Sequence, residues 1–122
     1  MRGPSKLFGV LAAATVALML AMAAPASAAV ASSITIHWNA TTEHFHGHVS
    51  SANAECIAGR TVKVFKKTSN GPQLVGKTTS KKAGGWRLSV MAHSGHYFAV
   101  TPAQTIMSVD CGKARSATVD VM

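Results

Sequence analysis

Apolar residues recur at about every second position along most of the chain after residue 30. Such alternation places apolar side chains on one face of a β-strand and polar side chains on the other. Glycine, proline, asparagine and serine separate the alternating runs, and this region shows no helical period. We predict seven strands, centred on residues 34–38, 45–49, 62–64, 74–75, 86–90, 97–101 and 117–121. Two dipeptides, Asn70-Gly71 and Gly84-Gly85, predict hairpin turns.

The first 28 residues have the pattern of a secretory leader. Arg2 and Lys6 precede an apolar or small-residue run over residues 7–24, and a proline and an Ala-Ser-Ala sequence follow it. This order is typical of a cleaved signal peptide rather than of a membrane-spanning helix. We predict a signal peptide over residues 1–28, with cleavage after Ala28 or, alternatively, after Ala31. The mature protein would be secreted, with no transmembrane segment after cleavage.

Cys56 and Cys111 are the only cysteines of the chain. In an oxidising compartment an even number of cysteines favours a disulfide, and only one pairing within the chain is possible. Neither cysteine belongs to a C-x-x-C pair, which disfavours a zinc site. We therefore predict a disulfide within a single domain, residues 29–122.

Four segments follow one another in a recognisable order along this region. They are Gly47-His48-Val49, residues 59–64, residues 78–86 with their Thr-Thr start and Gly-Gly-Trp end, and residues 95–100. Their order and spacing resemble the transthyretin-like or carboxypeptidase-regulatory-like β-sandwich domain family. The resemblance implies a non-catalytic extracellular module and carries over no active site. Together with the strand pattern, it leads us to expect an all-β, seven-stranded β-sandwich of immunoglobulin-like or transthyretin-like type.

Three of the six histidines occupy alternate positions in the second predicted strand: His44, His46 and His48. On a strand all three point to one face, with Cβ atoms roughly 7 Å apart along the strand. Imidazole nitrogens are natural ligands of Zn²⁺ and Cu²⁺, so these residues form a candidate metal site. The alternative is that Phe45, Gly47 and Val49 face the core and the histidines are ordinary solvent-facing residues.

The chain is basic, with twelve Lys or Arg against four Asp or Glu and a formal net charge of +8. No acidic residue occurs between Cys56 and Val109. Hairpin pairing in this stretch would produce a positive face that attracts anionic polymers of the cell envelope. The alternative is that lysines keep edge strands from pairing with other chains. The candidate polyanion-binding residues, in a stretch that begins at Arg60, are Lys63, Lys66, Lys67, Lys77, Lys81, Lys82 and Arg87.

The sequence contains little that indicates catalysis. The four acidic residues offer few groups for acid–base chemistry, and no nucleophile motif accompanies the serines and histidines. No nucleic-acid-binding motif is present either. We expect a secreted, non-enzymatic binding or surface module without a required cofactor, whose partner is an anionic polymer of the cell envelope or a surface protein. Such a partner would keep the secreted protein associated with the envelope. The alternative is a secreted metal-binding protein that uses the His-x-His-x-His strand.

Overall fold

A computed structural model describes residues 28–122 of the chain. Regular structure in this range is all β, apart from one 3₁₀ turn at Ala54–Cys56. The described residues contain no helix that is long and apolar enough to cross a membrane. The predicted signal peptide lies outside the described residues except for Ala28. The strands are β1 (Ser32–Ile34), β2 (His37–Asn39), β3 (His44–Ser51), β4 (Thr61–Thr68), β5 (Gly71–Thr79), β6 (Gly85–Ser89), β7 (Gly95–Thr101), β8 (Gln104–Ile106), β9 (Val109–Cys111), β10 (Ala114–Arg115) and β11 (Val119–Val121).

The strands form two main sheets, and β8 and β9 form a separate two-stranded sheet. The smaller main sheet, called the smaller sheet below, consists of β1, β2, β3 and β6, all antiparallel to their partners. β1 and β2 lie along the same edge of β3 in one unbroken register, because Ile34 faces Val49 and His37 faces His46. Between them the chain approaches Gly47 so closely that a Cβ there would lie 1.9 Å from the carbonyl oxygen of Thr35. Glycine is therefore required at this point of β3.

The larger sheet has the order β10-β7-β4-β5. β11 also pairs with β7: β10 pairs with the end of β7, and β11 pairs with its start. β4 and β5 form a hairpin joined by Ser69 and Asn70, and Gly71 has a φ of +104°. Such a backbone angle favours glycine. The turn predicted at Asn70-Gly71 is confirmed.

One hydrophobic core receives side chains from both sheets. Phe45 of the smaller sheet packs on Tyr97 of the larger one, with ring centroids 5.0 Å apart. Phe45, Gly47 and Val49 are buried, as the alternation along β3 predicts. The buried apolar members of the core are Ile34, Ile36, Phe45, Val49, Val62, Val64, Trp86, Tyr97, Ala99 and Val121.

The second predicted hairpin, at Gly84-Gly85, is wrong. β5 and β6 belong to different sheets, so residues 80–84 carry the chain from one sheet to the other. The amide of Val49 donates to the carbonyl of Gly84, whose φ is +93°. A Cβ at Gly84 would lie 2.3 Å from the carbonyl oxygen of Val49. The glycine permits a close approach of this turn to β3.

Cys56 and Cys111 form the predicted disulfide, with Cα atoms 5.5 Å apart. The bond joins the 3₁₀ turn after β3 to the end of β9. Both cysteines are buried. The fold is thus all-β, with several antiparallel sheets and one disulfide.

Candidate binding surfaces

Six of the seven predicted polyanion-binding residues, all except Lys66, are divided between two surfaces. Lys63, Lys67 and Lys77 lie on the outer face of the larger sheet, because the neighbours of Lys63, Val62 and Val64, point into the core. Lys81, Lys82 and Arg87 lie on the turn before β6 and on the smaller sheet. Strand pairing therefore brings together only part of the predicted set.

On the larger sheet, one row of residues crosses four strands. Lys77 faces Lys63, Lys63 faces Val100, and Val100 faces Arg115. Ala114 packs against the core, so Arg115 points outward with the two lysines. Adjacent strands are about 4.8 Å apart, which puts the outer residues of the row about 14 Å apart at the Cα atoms. We call the basic residues Lys77, Lys63 and Arg115, together with Lys67 on the same face, the cationic row.

An apolar row lies beside the cationic row on the same face. Leu74 faces Phe65, and Phe65 faces Phe98, with the two phenylalanine rings stacked at 5.5 Å between centroids. The guanidinium carbon of Arg115 lies 3.8 Å from the centroid of Phe98, close enough for a cation–π contact. Phe65, Phe98 and Arg115 line an open groove of about 240 Å³ together with Pro72 and Val100.

One carboxylate lies near these residues, on the edge strand β11. Asp120 is paired across strands with His96, and its Oδ1 is 2.5 Å from the Nδ1 atom of His96. Lys66 is not on this outer face: it pairs with Tyr97, whose side chain is in the core, and its Nζ atom lies 5.9 Å from the centroid of that ring.

Arg60 is the first basic residue of the stretch between Cys56 and Val109 that contains no acidic residue, and it is not part of any surface. Its side chain is fully buried and donates to the Ser32 hydroxyl, to the Gln104 side-chain oxygen and to three backbone carbonyls. Burial lowers the pKa of this guanidinium from its ordinary value. Arg60 is therefore a structural residue.

Four of the six histidines, His37, His44, His46 and His48, lie on the outer face of the smaller sheet. His46 is centred among them: His37 faces it from β2, and Arg87 faces it from β6. The ring centroids of His37 and His46 are 5.3 Å apart, and those of His44 and His46 are 5.4 Å apart. His48 is exposed and faces Gly85. A cleft of about 390 Å³ runs beside this cluster, lined by His44, His46, His48, Lys81, Trp86 and Arg87.

The surroundings of His46 favour its neutral form. Partial burial is the main cause of its lowered pKa, and the nearby imidazoles of His37, His44 and His48 and the Arg87 guanidinium lower it further. His44 is buried, and its Nδ1 atom lies 2.5 Å from the Thr42 hydroxyl. With the rings as they stand, no three His, Cys, Asp or Glu side chains within residues 28–122 are arranged to hold one metal ion.

Sequence reasoning missed two residues of these surfaces, His37 and Arg115. Each reaches its surface through pairing between strands, His37 opposite His46 and Arg115 opposite Val100. The apolar neighbours of residue 37 on both sides indicate its outward orientation, whereas residue 115 lies between an alanine and a serine and gives a weaker signal. Neither pattern indicates the partner strand.

Comparison of the chain with protein-family models, with curated proteins and with solved structures finds no match.

Proposed function

We propose that the protein is a secreted, non-catalytic binding module that holds an anionic polysaccharide of the cell envelope on the outer face of the larger sheet. Secretion is supported by the leader pattern of residues 1–28 and by the disulfide, since such bonds persist in oxidising compartments. The cationic row is the observation from which we infer an anionic ligand.

An immunoglobulin-like sandwich is the fold type that we propose for this module. If β1 with β2 and β10 with β11 are each counted as one interrupted strand, and the separate β8–β9 hairpin is left out of the count, seven strands remain, of which the first, second and fifth pair together. The other four form the second sheet. In addition, the Tyr97 hydroxyl donates to the carbonyl of His93, 2.6 Å away. A tyrosine near the start of the penultimate strand that bonds to backbone just upstream is typical of immunoglobulin-like domains, which favours that type over the transthyretin-like one.

A polymer fits the cationic row better than a small molecule does. The row extends across four strands over about 14 Å, and the groove beside it is open and shallow rather than enclosed. Enclosed pockets are typical of small-molecule sites. Cations spaced along a flat face match a ligand that has repeating negative charges. At moderate salt the cations attract such charges over a distance of about 8–10 Å.

The apolar row indicates a polysaccharide among the anionic polymers. Phe65, Leu74 and Pro72 offer apolar surface beside the charges, and Leu74 is 49% exposed. The carbon-bound faces of sugar rings can pack on such surface while their carboxylate, sulfate or phosphate groups meet Lys63, Lys77 and Arg115. A polymer without ring faces would use the charges alone.

Binding to heparin, an anionic polysaccharide used as the probe, tests the proposal. Lys67→Glu/Lys77→Glu reverses two exposed charges of the larger sheet, and Lys81→Glu/Lys82→Glu reverses two exposed charges elsewhere. The two variants have the same net charge. At low salt we expect the first to weaken heparin binding by about tenfold or more and the second by about twofold or less. Equal losses, or no binding by the unaltered protein, would contradict the proposal.

A further inference from the structure

The outer face of the smaller sheet gathers imidazoles from two strands. His37 lies on β2, and His44 and His46 lie on β3. The closest approaches are between His46 and each of the other two, at 5.3 and 5.4 Å between ring centroids. This trio differs from the set that the sequence alone suggests, because it includes a residue from a second strand.

These separations suit a shared metal ion. A zinc–nitrogen bond is about 2.0–2.1 Å long, so two imidazoles on one tetrahedral ion have centroids about 5 Å apart. The pairs His37–His46 and His44–His46 lie within about half an ångström of that value. The His37 and His46 rings are stacked, with an angle of 29° between their planes, so ligation needs rotation of the rings about their side-chain bonds.

His44 has an arrangement that is typical of a metal ligand. Its Nδ1 atom contacts the Thr42 hydroxyl at 2.5 Å. When Nδ1 carries the proton and donates to that oxygen, the lone pair of Nε2 is free for a metal. Histidine ligands are commonly oriented and made more basic by such a bond from the other ring nitrogen.

The fourth histidine of this face, His48, is directed elsewhere. It faces Gly85 of β6, and its Nε2 atom lies 3.8 Å from the position that a Cβ at Gly85 would occupy. Arg87 also lies on the β6 side of His46. Its positive charge disfavours a cation there, so a metal site belongs on the β2 side, between His46 and His37.

We propose that His37, His44 and His46 bind one divalent transition-metal ion, with Nε2 as the ligand atom of His44. Three nitrogen ligands and no carboxylate suit Cu²⁺ and Zn²⁺ and exclude Mg²⁺ and Ca²⁺, which require oxygen ligands. Cu²⁺ binds more tightly than Zn²⁺, in keeping with the general order of divalent metal affinities. The site is separate from the cationic row, and it does not depend on the proposed polysaccharide function.

Calorimetric titration of the purified, chelator-treated protein with Cu²⁺ and with Zn²⁺ at pH 7.5 tests the site. The decisive comparison is His37→Ala against His48→Ala, with His96→Ala as a control on the other sheet. Loss of a hydrogen-bonding partner of a ligand typically weakens metal binding about 10- to 100-fold, and loss of a ligand should cost at least about tenfold. We expect such a loss in His37→Ala and a change of about threefold or less in the other two variants.

A second variant reports on the arrangement around His44 without removing a ligand. Thr42→Val removes the hydroxyl that contacts His44, and we expect weaker Cu²⁺ binding by about tenfold. Melting curves recorded without metal establish that each variant folds. One stoichiometric Cu²⁺ site that depends on His37 supports the proposal. It is overturned by the absence of stoichiometric Cu²⁺ binding, by a loss in His48→Ala equal to or greater than that in His37→Ala, or by unchanged affinity in Thr42→Val.

Discussion

The guanidinium of Arg60 donates a hydrogen bond to the carbonyl of Cys56, at 2.9 Å, and so contacts one half of the disulfide directly. A second bond, 2.7 Å long, reaches the carbonyl of Gly112, which follows the other cysteine. Arg60 and the disulfide therefore hold the same two chain segments together. The Arg60 acceptors are all neutral oxygens, so the side chain serves as a branched donor rather than as half of an ion pair.

Replacing Arg60 with alanine should destabilise the protein strongly. The change leaves several buried carbonyl groups without a donor, and each unsatisfied buried group costs about 1–3 kcal/mol. We expect the free energy of unfolding, measured by urea denaturation, to fall by about 3 kcal/mol or more. Lys82→Ala, in an exposed turn, is the control, with an expected change within about 0.5 kcal/mol. A loss below about 1 kcal/mol in Arg60→Ala would show that water replaces these contacts.

The disulfide should contribute about 2–5 kcal/mol to stability, as in other small secreted domains. Cys56→Ala/Cys111→Ala opens a link between residues 55 positions apart. Because Arg60 bridges the same segments, combining this variant with Arg60→Ala should give a non-additive loss, with a coupling of about 0.5–3 kcal/mol. Denaturation of the full set of variants measures the coupling. Strict additivity would mean that the two features stabilise the chain independently.

Gly47→Ala should be far more damaging than Gly85→Ala, although both positions are glycines of adjacent strands. A Cβ at Gly47 would lie 1.9 Å from the Thr35 carbonyl oxygen, whereas a Cβ at Gly85 would meet only the His48 ring at 3.8 Å. Forcing β1 and β2 away from β3 should cost about 2 kcal/mol or more. Gly85→Ala should be nearly neutral. Similar melting temperatures for the two variants would contradict the close approach of Thr35 to Gly47.

Tyr97→Phe should isolate the contribution of one buried hydroxyl. The ring remains packed on Phe45, but the 2.6 Å bond to the His93 carbonyl is lost. We expect a loss of about 1–2 kcal/mol by urea denaturation. An unchanged stability would mean that this bond does not fix the segment before β7, and it would weaken the assignment to the immunoglobulin-like type.

The strand content could be predicted from the sequence because burial imposes a period of two. Phe45, Gly47 and Val49 are buried whereas His46 and His48 between them are not, so alternation locates β3. The same reasoning located each of the main strands, including β4 and β7. It worked best where both neighbours of a polar residue are buried, as at Lys63 between Val62 and Val64.

The hairpin of β8 and β9 could not be predicted, for a reason that lies in its turn. Met107 and Ser108 connect the two strands, and both have positive φ, at 51° and 67°. Turns of this kind normally contain asparagine or glycine, which are the residues that sequence reasoning looks for. Here neither is present. Conversely, Gly84-Gly85 predicts a hairpin turn, but these residues lie where the chain passes from the larger sheet to the smaller one.

The surfaces were only partly predictable because partners across strands are not encoded locally. Lys63 and Lys77 belong to one hairpin, so their proximity follows from a short connection. Arg115 reaches the same face through β7, and His37 reaches His46 through the pairing of β2 with β3. Arg60 was misleading for another reason: its burial depends on acceptors distributed over residues 32–112, which no local pattern reveals.

The salt dependence of heparin binding tests the central claim, that the outer face of the larger sheet holds an anionic polysaccharide, most directly. Each cation that contacts an anionic group releases counterions, so the logarithm of the affinity falls linearly with the logarithm of the salt concentration. Neutralising two contacting lysines in Lys67→Gln/Lys77→Gln should make that slope shallower by about 2. The slope of Lys81→Gln/Lys82→Gln should equal that of the unaltered protein. The claim would be contradicted by an unchanged slope in the first variant, or by an equal flattening in both.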